Sequence, residues 1–135
     1  MMAGYSGRPL AAKLGLKPGM AAFCIDAPDD YPALLGPDAA PVAAVDDIPD
    51  GAEFTHLFTT SRAGLQAHLT RARAVMARDG MVWVSWPKKA SKRPTEVTED
   101  VIREICLPMG LVDVKVCAVD GVWSGLKLVI RKELR

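Results

Sequence analysis

Apolar positions along the chain come in short runs, and the spacing within those runs alternates between two patterns. Residues 20–25 and 81–86 are near-continuous apolar runs, the pattern of strands covered on both faces. Residues 53–60 form a third strand segment carrying Phe54, Leu57 and Phe58, and residues 42–45 a weaker one. Between these lie helical patterns. Residues 61–78 place Leu65, Leu69, Ala72 and Met76 at i, i+4, i+7 and i+11, one stripe of a 3.6-residue period. Asp79-Gly80 ends that helix. Residues 8–15 read as a short helix, with Pro9 at its start and Gly15 in the left-handed position after its end. Residues 31–35 have room for a turn or two.

After a basic loop over 87–94, Thr95 is expected to cap a helix. It would place Glu96, Glu99 and Asp100 near its positive end, with Val97, Val101, Ile105 and Cys106 inward. Pro108 and Gly110 close it. Two apolar strands, 111–119 and 122–130, then flank Asp120-Gly121, a strong short-range hairpin signal. Alternating strands and helices predict a three-layer α/β fold with a mostly parallel sheet, closed by a C-terminal antiparallel hairpin. With 135 residues and no linker or repeat, the whole chain, 1–135, is expected to be one domain.

Composition adds exclusions. The apolar fraction of 50% and charged fraction of 24% are those of a globular chain. No apolar run approaches the ~20 residues of a membrane span, and residues 1–19 lack the apolar centre of a signal peptide, so a cytoplasmic protein without membrane association is expected. Cys24, Cys106 and Cys117 are widely spaced and His56 and His68 are the only histidines, so no metal site is expected. Net charge is +1, but residues 1–60 hold three basic and eight acidic side chains and residues 61–135 fourteen and eight. Such asymmetry can mark a face for nucleic acid or an acidic partner, but the basic residues are spread over five segments and the pI of about 7.7 is low for a strong nucleic-acid binder.

Several motifs have a distinctive look: Gly4-Tyr5-Ser6-Gly7 with Pro9-Leu10, Ser85-Trp86-Pro87-Lys88-Lys89, residues 114–120, and Trp123-Ser124-Gly125-Leu126-Lys127. Together they resemble a family of small bacterial proteins of unknown function, over nearly the whole chain. The second half also resembles the end of a Rossmann-type methyltransferase, in which a Gly turn (Asp79-Gly80) leads into a strand, a helix follows, and two antiparallel strands close the sheet. The resemblance implies a truncated version of that fold. Its cofactor loop would follow the first strand and be glycine-rich, whereas this chain has Asp26-Ala27-Pro28-Asp29-Asp30 there. Side chains and a rigid proline at such a place keep a ligand from the backbone, so no cofactor is expected.

In open parallel sheets ligands bind beyond the carboxyl ends of the strands. Those ends here are residues 26–30, 59–62 and 85–89. The ordinary role of Ser61 is a helix N-cap; a functional one would combine the first N–H groups of that helix with Arg62 to hold an anion. Lys88, Lys89, Lys92 and Arg93 put four cations in six residues beside Trp86, suited to phosphate with a ring for base stacking. His56, between Phe54 and Phe58, reads as a hydrogen-bonded core residue. The expectation is a non-catalytic binding or interaction module. Its anion-binding cleft would comprise Ser61, Arg62, Trp86, Lys88, Lys89, Lys92 and Arg93, for a small anion, RNA or an acidic protein. The alternative is a divergent transferase of the S-adenosylmethionine type, lacking the Gly-rich loop.

Overall fold

A computed structural model describes residues 9–135; the Gly4-Tyr5-Ser6-Gly7 motif lies outside the described residues. The elements are α1 (Leu10–Leu14), β1 (Ala22–Ile25), α2 (Tyr31–Leu35), β2 (Ala43–Ala44), β3 (Phe54–Phe58), α3 (Arg62–Val75), β4 (Met81–Pro87), α4 (Glu99–Cys106), β5 (Leu111–Ala118) and β6 (Trp123–Ile130). One sheet runs in the order β2-β1-β3-β4-β6-β5. The first four strands are mutually parallel, and β6 is antiparallel to both of its neighbours. The three-layer fold read from the hydrophobic pattern is the one observed.

Two cores lie on opposite faces of the sheet. On one, Leu65, Leu69 and Ala72 of α3 and Ile102, Ile105 and Cys106 of α4 pack on Leu57, Val82, Val84 and Trp86. On the other, Leu10 and Leu14 of α1 and Tyr31 and Leu35 of α2 pack on Cys24, Phe54, Phe58 and Trp83. Strand alternation divides β4 cleanly between them. Val82, Val84 and Trp86 point one way and Trp83 and Ser85 the other. The Trp83 indole N–H donates to the Leu14 carbonyl at 2.8 Å, which ties α1 to the sheet.

Helix ends follow local chemistry, with one correction. The Ser61 hydroxyl accepts from the Gly64 N–H at 3.1 Å and starts α3. Thr98, not Thr95, caps α4, accepting from the Val101 N–H at 3.2 Å. Thr95 instead accepts from the Val97 N–H at 3.0 Å, a local turn that places buried Val97 ahead of the helix. The inner face consequently gains Ile102, fully buried, with Val101 half-buried against the same core.

The C-terminal hairpin has a wider turn than Asp120-Gly121 alone predicts. One Asp120 carboxylate oxygen accepts from the N–H groups of both Val122 and Trp123, each at 2.8 Å. An Asx-type turn of this kind takes donors that a two-residue turn would leave to the ladder. Gly125 is a close approach: a Cβ there would lie 3.1 Å from Cε3 of Trp83. The bulge in this pair lies between Asp113 and Lys115 on β5.

Candidate functional site

The chain leaves β1 through α2 to reach β2 at the sheet edge, then returns to β3 on the other side of β1. The carboxyl ends of β1 and β3 therefore flank a reversal of strand order, where open α/β sheets form their ligand crevice. Asp26, the residue after β1, sits there with φ of 56°. That is the left-handed region, which asparagine and aspartate tolerate better than other non-glycine residues.

Asp26 borders two hollows. One, of about 530 Å³, opens toward β2 and is lined by Cys24, Asp26, Pro28, Tyr31, Val45 and Asp46, among others. The other, of about 340 Å³, opens toward β3 and is lined by Asp26, Phe58, Thr59, Ser61, His68 and Trp123, among others. Both are in the size range of small-molecule sites. Asp26 and Asp46 are exposed and bring negative charge to the first hollow.

Behind Tyr31 lies a buried polar chain. The Tyr31 hydroxyl lies 2.8 Å from Nδ1 of His56, and Nε2 of His56 lies 2.7 Å from the Ser85 hydroxyl. Phe58 stacks on the imidazole with ring centres 4.2 Å apart. Burial lowers His56 to about 3, so the ring is neutral and bridges two hydroxyls. Burial, helped by Cys24, raises the Tyr31 phenol, and burial raises the Cys24 thiol. None of these groups is activated as a nucleophile or proton donor. Among the described residues no group of three or more His, Cys, Asp or Glu side chains is placed to hold a metal ion.

The anion-site candidates are distributed differently from the pattern their sequence proximity implies. The Arg62 N–H at the start of α3 donates to Glu96 Oε1 at 2.9 Å, and its guanidinium pairs with Glu104 at 2.7 Å. This helix start already holds a carboxylate of its own chain. Trp86 is buried in the core beneath α3 and α4, on the same strand parity as Val82 and Val84. Lys89, Lys92 and Arg93 are exposed and Lys88 is half-buried. Their loop is tied to the hairpin by the Lys88 N–H, which donates to the Val122 carbonyl at 2.7 Å.

Asp46 and His68 were not singled out by the sequence pattern. Asp46 follows a strand of only two residues, too short for a periodic signal. His68 lies seven positions after Ser61, two helical turns along the same face, and that spacing was the one available signal.

No family model and no curated protein matches the sequence, so the likeness to the small bacterial family rests on the motifs alone. Solved structures do match. A SAM-dependent methyltransferase from Aquifex aeolicus superposes with a TM-score of 0.68 at 17% identity, over 90% of this chain and 87% of that one. Magnesium protoporphyrin IX methyltransferase from Synechocystis, with bound SAH, gives 0.59 at 11% identity, over 90% and 78%. LepI in complex with SAM gives 0.55 at 14% identity, and there this chain spans 39% of the other's length. With its six strands in the order shared with these proteins and its antiparallel closing hairpin, the chain has the fold of the SAM-dependent methyltransferases.

Proposed function

We propose that the crevice around Asp26 binds an S-adenosyl group and that the chain is a divergent transferase domain. The observation that carries this reading is the place of Asp26. It directly follows β1 at the reversal of strand order, borders both hollows, and adopts the left-handed conformation that glycine ordinarily supplies.

The side chains present fit such a group in part. Asp26 and Asp46 are hydrogen-bond acceptors suited to ribose hydroxyls, and their charge favours a sulfonium cation. The same charge opposes a pyrophosphate, which argues against a dinucleotide. Pro28 and Ala27 stand where a glycine-rich loop would admit the ligand to the backbone, so contacts there are made by side chains and affinity is reduced.

When bound, S-adenosylmethionine supplies an electrophilic methyl group. The residues of the chain bind and orient: Asp46 and Asp26 hold the polar end, and Val45 and Pro28 exclude water. Phe58 and Trp123 wall the neighbouring hollow, where the His68 imidazole is available to take a proton from an acceptor. Calorimetric titration with S-adenosylhomocysteine tests this. Saturable binding weakened tenfold or more by Asp46→Asn supports it, and no binding by the folded protein refutes it.

The second reading, an anion-binding module at Ser61, Arg62 and residues 86–93, is favoured by the exposure of Lys89, Lys92 and Arg93. It has less support, because Arg62 is engaged by Glu104 and Glu96 and Trp86 is buried.

A further inference from the structure

Arginines and lysines are treated differently in this fold. Among the described residues every ion pair is made by an arginine, namely Arg62, Arg71, Arg103 or Arg131. The lysines make none. Four of them, Lys13, Lys17, Lys115 and Lys127, gather on the α1 face of the hairpin. Lys115 and Lys127 stand directly opposite each other across β5 and β6, an arrangement of like charges that weakens a sheet. The Lys115 ammonium donates to the Lys13 carbonyl at 3.1 Å, and the Lys13 ammonium to the Ala118 carbonyl at 3.4 Å. Burial and the charges of Lys115 and Lys17 lower Lys127 below the ordinary lysine value. The charges acting on Lys127, and those of Lys13 and Lys115 acting on the neighbouring Cys117 thiol, are all positive. A cross-strand lysine pair without a counter-ion is poorly explained by stability and well explained by a polyanion.

The direction of the strip indicates which polyanion. From Lys127 and Lys115 it passes Lys13 to Ala118. Ala118 is paired with Ser124, the neighbour of Trp123. Trp123 is half-buried, edge-on to Phe58 at 5.1 Å, and lines the hollow beside Asp26. Point charges along the hairpin, ending at an aromatic ring, match a phosphodiester backbone whose bases are free to stack. We infer that Lys13, Lys17, Lys115 and Lys127 form a docking surface for single-stranded nucleic acid, leading its strand to Trp123. None of the four lysines lines either hollow beside Asp26 or belongs to the 88–93 loop, and binding to them is measurable without any cofactor.

The test is fluorescence anisotropy of a short labelled single-stranded RNA across a salt series, on wild type, Lys115→Gln/Lys127→Gln and Lys89→Gln/Lys92→Gln. Four phosphate contacts give a log–log salt slope of about −3, and loss of two reduces it by about 1.4. The strip variant should bind at least tenfold more weakly at low salt, with the loop variant close to wild type. Because it removes a like-charge pair, the strip variant should melt no lower than wild type, so weakened binding cannot be ascribed to unfolding. Absence of binding at low salt overturns the inference. So does loss confined to the loop variant, or displacement of the RNA by polyglutamate as readily as by unlabelled RNA, which would mark an acidic protein as the partner.

Discussion

The Tyr31 hydroxyl sits 2.8 Å from Nδ1 of His56, and through this contact a helix of only five residues is fixed to the middle of the sheet. Tyr31 directly follows the 26–30 loop, so the bond also fixes one end of the crevice. Tyr31→Phe keeps the ring packing but leaves an imidazole nitrogen without its partner at a fully buried position. The expected loss is about 1–3 kcal/mol, read as a lower urea midpoint with an unchanged slope. An unchanged midpoint would mean that the contact is dispensable.

His56 makes stability depend on pH in a defined window. Its folded value, about 3, lies below the ordinary value of about 6.5 in an unfolded chain. The unfolded state therefore binds the proton first as pH falls. The stabilisation is intact above about 6.5 and declines through the interval down to 3, by about 1.4 kcal/mol per pH unit for this one group. Urea unfolding at pH 7, 6 and 5 checks it. Stability that stays flat over that range would contradict a neutral buried ring.

Thr55 points to the α3 and α4 face, and its hydroxyl is buried with no hydrogen-bond partner. Thr55→Val removes an unsatisfied polar atom at nearly constant volume. It should stabilise the fold by about 1–2 kcal/mol, measured by chemical denaturation. Destabilisation would indicate a partner for the hydroxyl.

Asp26 separates conformation from charge. Asn tolerates the left-handed region as Asp does, so Asp26→Asn should leave stability within about 0.5 kcal/mol while weakening binding of an S-adenosyl ligand. Asp26→Gly should relieve the backbone and weaken the ligand equally. Equal binding by all three proteins would exclude a role for the carboxylate.

The fold was largely legible in the chain because its signals are local and redundant. The apolar runs at 20–25 and 81–86, the heptad-like stripe of α3 and the apolar strands around Asp120 each specify an element without outside help. The helix start at Thr98 is hard to read because Thr95 and Thr98, each followed by acidic residues, offer competing caps, and only the burial of Val97 decides between them. The site was less legible. Asp26 and Asp46 come together through the pairing of β1 with the two-residue β2, a contact with almost no sequence signal. Trp86 and Lys88 are neighbours in sequence, yet strand alternation turns Trp86 into the core and the loop carries Lys89, Lys92 and Arg93 to the surface. Arg62 looks available in sequence, and Glu96 and Glu104, more than thirty residues away, engage it.

The most direct test of the central claim is an amide-shift NMR titration of the labelled protein with S-adenosylhomocysteine. Saturable shifts at residues 24–31 and 44–46, with smaller ones at 59–61 and 68, are expected if the crevice around Asp26 takes an S-adenosyl group. Saturable shifts confined to residues 61–62 and 88–93, or no shifts at all from a folded protein, would contradict it.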